Sequence, residues 1–398
     1  MRDHLPLRAA CAVLLLVGSG ACLDPEDVLA PERDIVVPVR RPEAAYERLF
    51  PYYVELCAVT QIRPLGKPPG GSPGHAVMYV KGACQDPAAP FPTLVLCPGN
   101  VTDAAKPSHG AGISVNKAFK NVNWVATPGK RLFLHGNLEP SERLTQARFD
   151  AAVRDALERG VFRGVEIHRS DDAPALEMAT FVARDSIGTD FALRYGRSVF
   201  CMRLPITRAM VGAVMDYLNE LNREYATGEA DYNWSGYSDN CAHTLHNALA
   251  AAGIWKPKGV GLIKIRQFFH MAVPANEFVD LAALALESPL DDFSGIYRNE
   301  LQRQTFLEQG WLPMQPGAML KTLPVHTEND LYDTRFRLLV LESPFRTGET
   351  KRAQRLLGDA RHTELRANLG WFRSRYDAIL AAPAGAPRAA AGGGEFER

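Results

Sequence analysis

A helix that begins with a cysteine is the feature of this 398-residue chain that most constrains its fold. In the segment 232–253, three favourable N-cap residues end at Asn240, and Gly253 is a typical C-terminal stop. Cys241 therefore falls in the first helical turn, where the positive end of the helix dipole favours the thiolate. At about 100° per residue, the apolar side chains that follow share a face with this cysteine. The sequence predicts a thiol that faces a sheet and suits a nucleophile; a small buried core cysteine is the alternative.

The remaining patterns predict an α+β protein in which a mostly antiparallel sheet packs against helices. Segments rich in β-branched and aromatic residues predict strands, namely 75–80, 93–97, 112–116, 123–127, 131–135, 162–168 and 197–204. Helices are predicted at 45–59, at 141–159, after the N-cap residue Thr207, at the cysteine segment, and at 351–381. We expect one domain over 45–270, followed by a mainly helical extension over 271–381 with a loop-rich stretch at 311–331.

The N-terminus has the composition of an export signal. Two arginines precede an apolar run at 9–17, small residues follow, and Cys22 comes next. This order predicts a signal peptide over 1–22. It also resembles a bacterial lipoprotein signal with Cys22 as the lipidated residue, although Ser19 stands where Leu or Val is usual. Simple cleavage and release is the alternative.

The segments next to the two termini have the composition of a tether and a tail. The stretch 23–44 is acidic and contains proline, which is typical of a tether, and the Ala-, Gly- and Pro-rich stretch 382–398 is predicted to be disordered. No stretch after the signal is long and apolar enough for a transmembrane helix. We expect a bacterial cell-envelope protein, either a periplasmic or outer-membrane lipoprotein or a secreted protein.

Cysteine usage fits an oxidising compartment. Beyond the signal region, five of the seven cysteines remain: Cys57, Cys84, Cys97, Cys201 and Cys241. Four can pair, with Cys84 and Cys97 on neighbouring strand-like segments and Cys57 with Cys201 as the remaining choice. The sequence does not decide the connectivity, and all four could be reduced. Cys241 is the best placed to stay free for chemistry.

The charge balance gives no indication of a nucleic-acid partner. The chain has 45 basic and 45 acidic residues, so no net field attracts nucleic acid or an acidic membrane surface. Contact with a membrane is expected only through an N-terminal lipid anchor. The expected partner is a peptide or acyl substrate in the cell envelope, and the oligomeric state is not predicted.

Two motifs, taken in order, resemble a known superfamily. Residues 74–82, GHAVMYVKG, are similar to the histidine strand of circularly permuted papain-like cysteine hydrolases, the NlpC-type enzymes and lecithin:retinol acyltransferase relatives. Residues 239–243, DNCAH, are similar to the nucleophile motif that follows much later in that group. The resemblance covers about residues 46–255 and leaves the rest of the chain unexplained. It implies a permuted papain-like fold with an antiparallel sheet against the nucleophile-bearing helix.

The resemblance also implies roles for individual residues. Cys241 corresponds to the nucleophile and His75 to the general base, and a third polar group orients the histidine. Asn116 and His109 are the candidates for that group, and Glu166 is a weaker one. His109 is also a rival for the base, although a structural histidine in a loop is its simpler interpretation.

Stabilisation of an oxyanion is assigned to the start of the same helix. The backbone amide of Cys241 is one expected donor, at the open end of the helix. Tyr237 is a candidate for a second donor, and Asn240 is a further candidate on the substrate side.

A zinc site is the competing metal hypothesis. His243 and His246 lie three residues apart on the predicted helix and could share an ion, with His168, His270 or His326 as further ligands. The chain has no HExxH or paired CxxC motif and no Walker, Rossmann or GxSxG motif. We therefore predict neither a metal nor a cofactor.

Taken together, the sequence predicts an exported cysteine hydrolase of the peptidase or amidase type. Peptidoglycan cross-links and envelope proteins are the expected substrates. A lipid acyltransferase or lipase on the same fold is one alternative. A non-catalytic envelope lipoprotein that serves as a binding module is the other.

Overall fold

The structure is a computed structural model. It describes residues 46–59, 74–99, 109–129, 143, 145–168, 178–182, 199–261, 265–287, 317–323 and 338–381, apart from 48, 237 and 346. The predicted signal peptide with Cys22, the tether, the C-terminal tail and the predicted strand at 131–135 lie outside the described residues. Within the described part, no helix combines the length and the apolar character that a membrane span requires.

The described residues form a mixed α+β structure. The strands are β1 (Tyr53–Val59), β2 (His75–Lys81), β3 (Ala83–Gln85), β4 (Leu94–Leu96), β5 (Gly110–Val115), β6 (Trp124–Pro128), β7 (Val199–Pro205) and β8 (Met319–Leu323). The helices are α1 (Gln146–Glu158), α2 (Met178–Phe181), α3 (Arg208–Thr227), α4 (Cys241–Ala251), α5 (Ile265–Met271), α6 (Pro274–Glu287), α7 (Glu349–Gly358), α8 (Ala360–Thr363) and α9 (Leu365–Ala381).

Six strands form one antiparallel sheet in the order β6-β5-β2-β1-β7-β8. The strands β3 and β4 form a separate two-stranded sheet. In the large sheet, Ala58 is paired with Ala76, and Val77 is paired with Ser114. Side chains of directly paired residues lie on the same face, so this register decides which residues of β1, β2 and β5 are neighbours.

One face of the large sheet is apolar and lies under helices. Trp124 on β6 is fully buried, and its indole Nε1 donates to the Leu218 carbonyl of α3 at 2.7 Å. Helix α4 packs on β2 and against α3, and α6 packs on β1 and β7. Helix α6 has a buried apolar side, and strand β1 is buried along its whole length. Packing the helix on the sheet removes both apolar surfaces from water.

The opposite face of the sheet holds buried charges that are paired. Arg203 on β7 forms an ion pair with Glu55 on β1, and its guanidinium lies 4.4 Å from the ring centroid of Tyr46. Lys81 at the end of β2 is bonded to Glu47 at 3.1 Å. Pairing is what makes such burial tolerable, since an unpaired buried charge is costly.

Two disulfides brace the sheets. Cys57 of β1 is bonded to Cys201 of β7, and Cys84 of β3 is joined with Cys97, the residue after β4. The second pair was expected from its neighbouring strands, and the first was the choice that remained. Cys241 is the free cysteine of the described residues, and it is buried.

The elements differ from the sequence prediction in several places. Part of the predicted helix 45–59 is strand β1. Both faces of this strand are buried, so its apolar residues need not alternate with polar ones. The predicted strand 162–168 is mostly turn, with one isolated bridge between Phe119 and Ile167. The predicted helix 351–381 is three helices, α7 to α9.

The region after residue 270 contributes to the same sheet and core. Strand β8 pairs with β7 as an edge strand, and α6 packs on β1 and β7. Residues 319–323 fall inside the stretch that the sequence analysis treats as loop-rich. A short edge strand carries a weak local signal, because its stability comes from pairing with a distant partner.

Candidate active site

Helix α4 positions Cys241 at its first residue. Asn240 is the N-cap, and its side-chain oxygen accepts hydrogen bonds from the amides of Ala242 and His243 at 2.9 and 3.2 Å. These bonds satisfy two of the amides that a helix start leaves open. The amide of Cys241 is the preceding one, and it lies next to its own sulfur.

The side chain of Asn240 is fully engaged in this cap. Its oxygen also lies 3.0 Å from Nδ1 of His243, and its nitrogen donates to the carbonyls of Gly236 and Met271 at 2.8 and 3.1 Å. Both N–H bonds of the amide group are therefore used within the protein. Asn240, the candidate on the substrate side, thus holds the start of α4 with its side chain.

The sulfur of Cys241 contacts the start of the histidine strand. Its Sγ lies 3.4 Å from the backbone nitrogen of Ala76, which donates a hydrogen bond to it. Ala76 follows His75 directly, so the peptide that joins these two residues is the contact point between α4 and β2.

The ring of His75 is hydrogen-bonded with the neighbouring strand. Its Nε2 lies 3.0 Å from Oγ of Ser114, which is fully buried on β5. Ser114 pairs with Val77, and His75 lies two residues before Val77 on the same face of β2. The register therefore brings the hydroxyl to the imidazole, on the face of β2 opposite the side chain of Ala76.

The two sequence candidates for the orienting group have contacts of their own. The side-chain oxygen of Asn116 accepts from the amide of Ala118 at 2.9 Å and shapes the turn after β5. His109 precedes the opposite end of β5, where its carbonyl accepts from the amide of Gly82. Six residues of strand separate that end from His75, or roughly 20 Å. His109 is therefore neither the base nor its orienting group.

The weaker candidates lie elsewhere or outside the described residues. Glu166 is exposed and forms a surface ion pair with Lys120 at 3.0 Å. Tyr237, the candidate second oxyanion donor, is not among the described residues.

The two histidines of the zinc hypothesis have separate protein partners. His246 is buried; its Nδ1 contacts Glu277 of α6, and its Nε2 lies 2.8 Å from the carbonyl of Lys256. His243 is bonded to the cap residue, and burial, followed by the charges of His246 and Lys258, lowers its pKa to about 4. His243 is therefore neutral at pH 7, and the two rings serve to fix α4 in place.

In the described part of the chain, one group of three possible ligands lies close enough together to share a metal ion. It consists of Glu55, Cys57 and Cys201. The disulfide occupies both sulfurs, so this group does not fit a metal while the bond is intact.

The loop before Cys241 is folded back on itself. Ser235 and Asp239 form an antiparallel bridge, with backbone N–H to carbonyl distances of 2.7 and 3.0 Å. Trp234, 40 % exposed, precedes this bridge, and the amide of Gly261 donates to the carbonyl of Ser238 at 2.9 Å. The bridge therefore holds an exposed indole beside the residues that lead into Cys241.

The assembled groups have the parts required for acyl transfer. Cys241 supplies a thiol at a helix N-terminus, and the N–H of Ala76 donates to its sulfur. The residue before Ala76 is His75, whose imidazole is bonded to Ser114 on the opposite face of β2. Sequence reasoning missed Ser114. The sequence contains a signal for Ser114, because a polar residue is unusual in an otherwise apolar strand. Only the strand register shows that this residue is a neighbour of β2.

Comparison with protein-family models, with curated proteins and with solved structures finds no match to this chain.

Proposed function

We propose that this chain is an exported cysteine hydrolase of the permuted papain-like type, acting on an amide or ester carbonyl in the cell envelope. The observation that carries the proposal is the contact of Cys241 Sγ with the peptide that follows His75, whose ring is bonded to Ser114. The pairing of the other described cysteines supports an oxidising compartment and leaves this thiol free.

In the proposed reaction, His75 takes the proton of Cys241, and the resulting thiolate attacks the carbonyl carbon. The Cys241 amide donates to the oxyanion that forms. His75 then passes the proton to the leaving amine or alcohol, which departs and leaves a thioester. His75 next takes a proton from water, the hydroxide attacks the thioester, and the acid is released as Cys241 regains its proton.

The substrate class follows from the compartment. Peptide amides of peptidoglycan and of envelope proteins are the abundant amides there, so peptidase or amidase activity is the first choice. An acceptor other than water would turn the same thioester into an acyltransferase reaction on a lipid or an amine. Product analysis distinguishes these outcomes.

One observation favours a second candidate, a binding module without catalysis. Cys241 is only 7 % exposed, and its sulfur already accepts a hydrogen bond, which also describes a structural core cysteine.

Labelling of the native protein with a thiol-directed acyl probe tests the proposal. We expect fast labelling of the wild type, none at this position in Cys241→Ala, and slow labelling in His75→Ala. His109→Ala is the matched control, because it removes a histidine at the far end of β5 and should label at the wild-type rate. A Cys241 thiol that reacts only after unfolding would contradict the enzyme and support the binding module.

A further inference from the structure

A small cavity lies at the end of β2 that is remote from Cys241. Its volume is about 290 Å³, and Gly82, the residue after β2, forms part of its wall. His75 begins β2, so the length of the strand, roughly 23 Å, separates the cavity from the proposed active site. Small-molecule sites begin at about 300 Å³. The cavity therefore has the size for a small ligand and is distinct from the site of the proposed hydrolysis.

The wall around Gly82 is held by close packing and by a disulfide. Gly82 has a φ of +100°, and the ring of Tyr52 lies so close that a Cβ on this residue would stand 2.7 Å from it. Only glycine combines this backbone conformation with such a close approach. The amide of Cys97 donates to the carbonyl of Gly82 at 2.8 Å, and Cys97 is bonded to Cys84. A backbone hydrogen bond and a covalent bond therefore fix this wall in place.

Arg208 is the charged residue of the lining, and it stands at the first position of α3. The helix packs on the same wall, because Cγ1 of Val211 lies 3.9 Å from where a Cβ of Gly82 would stand. Within the residues that the structure describes, the exposed guanidinium of Arg208 forms no ion pair or hydrogen bond. No lining residue is acidic, and neither is any residue in the first turn of α3. The cavity therefore has a positive charge that no described carboxylate balances.

The chemistry of the lining favours one class of ligand. A guanidinium binds a carboxylate through two parallel hydrogen bonds, because the two planar groups match in geometry. One guanidinium balances one negative charge, which favours a monoanionic carboxylate over a dianionic phosphate. The side chains of Tyr52, Leu96 and Pro98 supply aromatic and apolar walls. Such walls favour an organic body that leaves water on binding.

We propose that this cavity binds the carboxylate of a small organic acid, with Arg208 as the charged partner and the Tyr52 ring against the apolar body of the acid. Neither Cys241 nor His75 lines the cavity, so the inference does not depend on the proposed hydrolase function. A free acid and the C-terminus of a peptide present the same carboxylate chemistry.

The test compares benzoate with benzamide, which share a ring and differ in charge. In a ligand-observed NMR titration of the full chain, we expect benzoate to bind with a Kd of about 1 mM or below. Benzamide should bind at least about tenfold more weakly, and Arg208→Gln should lose about tenfold or more in affinity for benzoate. Arg208→Lys keeps the charge but not the planar fork and should fall between the two. Arg154→Gln is the matched control, since it removes an exposed arginine of α1 that does not line the cavity, and it should bind as wild type does.

Further titrations identify the source of the carboxylate and separate the two proposals. Tighter binding of N-acetylphenylalanine than of benzoate would point to a peptide C-terminus, and the reverse order to a free acid. The Cys241→Ala protein should bind benzoate with wild-type affinity whether or not the wild type hydrolyses amides. Equal binding of benzoate and benzamide, or wild-type affinity in Arg208→Gln, would overturn the carboxylate site. Inorganic phosphate that binds as tightly as benzoate would also overturn it.

Discussion

The two ends of the β2–β5 strand pair differ in chemistry although each has a histidine. At one end, His75 is bonded to Ser114, and the next amide contacts the free thiol of Cys241. At the other end, His109 contributes a backbone carbonyl to Gly82, and Lys81 is paired with a carboxylate. The two histidines therefore differ in position: His75 begins the strand that contacts the thiol-bearing helix, whereas His109 lies at the far end of the sheet.

The largest expected effect comes from exchanging the two histidines for alanine. His75→Ala should lower kcat/KM by about 10²–10⁴-fold, the usual contribution of a general base. His109→Ala should remain within a few-fold of wild type, since its ring lies at the far end of the sheet. Hydrolysis of a coumarin amide measures both variants. A comparable loss in the two variants would remove the functional distinction between the strand ends.

The next largest effect is expected from removing the disulfides, one of which lies near each end of the β2–β5 strand pair. Cys57 pairs in register with Val77, near the thiol end, and its bond to Cys201 closes a sequence separation of 144 residues. The bond between Cys84 and Cys97 closes only 13 residues near the other end. Because a longer closed loop restricts the unfolded chain more, the double alanine variants should lose about 5 and about 3 kcal/mol of unfolding free energy, respectively.

Urea unfolding under non-reducing conditions measures both disulfide variants. Wild-type protein after reduction should lose more than either variant, because both bonds are then open. Equal stability of the 57/201 variant and the wild type would show that this bond does not constrain the unfolded state.

A smaller effect is expected from the pH dependence of stability at the thiol end. Burial raises the folded-state pKa of Asp239 from 3.8 to about 6, so the folded protein binds this proton more tightly than the unfolded chain does. Stability from this group is therefore complete below pH 4 and falls as pH rises to about 6, by about 3 kcal/mol. Asp239→Asn should remove this fall and be more stable than wild type at pH 7, whereas Asp231→Asn should retain it. Thermal unfolding between pH 4 and pH 7 measures this dependence. If the stability of Asp239→Asn falls with pH as steeply as that of the wild type, Asp239 is not the group responsible.

The smallest expected effect tests the orientation of the imidazole. Ser114→Ala removes one hydrogen bond to His75, which corresponds to about 1 kcal/mol or a fivefold loss of kcat. Ser114→Thr keeps the hydroxyl and should retain more activity. The pH–rate profile of the alanine variant should shift, because the ring loses the partner at Nε2. A loss confined to protein stability, with kcat and the profile unchanged, would mean that Ser114 serves only the core.

The sequence predicted the parts of the site that depend on local signals. The N-cap at Asn240 places Cys241 at the start of a helix, and the alternating strand after His75 is β2 in the structure. Both signals lie within a few residues of the chain, where capping and side-chain period act directly. The role of Asn240 was less predictable, since its contact to Met271 comes from 31 residues away.

The sequence did not predict the contacts that depend on the pairing of distant strands. Ser114 was missed and Asn116 was preferred, although the two differ by only one repeat of the strand period. The strand β1 was predicted as helix, because a segment buried on both faces lacks the alternation by which a strand is recognised. The edge strand β8 was missed because its partner β7 lies more than 100 residues earlier.

The amino-acid sequence by itself determined where the thiol stands, at a capped helix start, and which strand carries a histidine beside glycine. The tertiary structure alone decided that these two segments touch, that a serine of β5 reaches the imidazole, and that a second histidine lies at the far end of the sheet. The physical reason is that caps and side-chain periods are properties of neighbouring residues. Register and helix packing, in contrast, arise only when distant segments bury their surfaces together, 39 residues apart for His75 and Ser114 and 165 apart for Ala76 and Cys241.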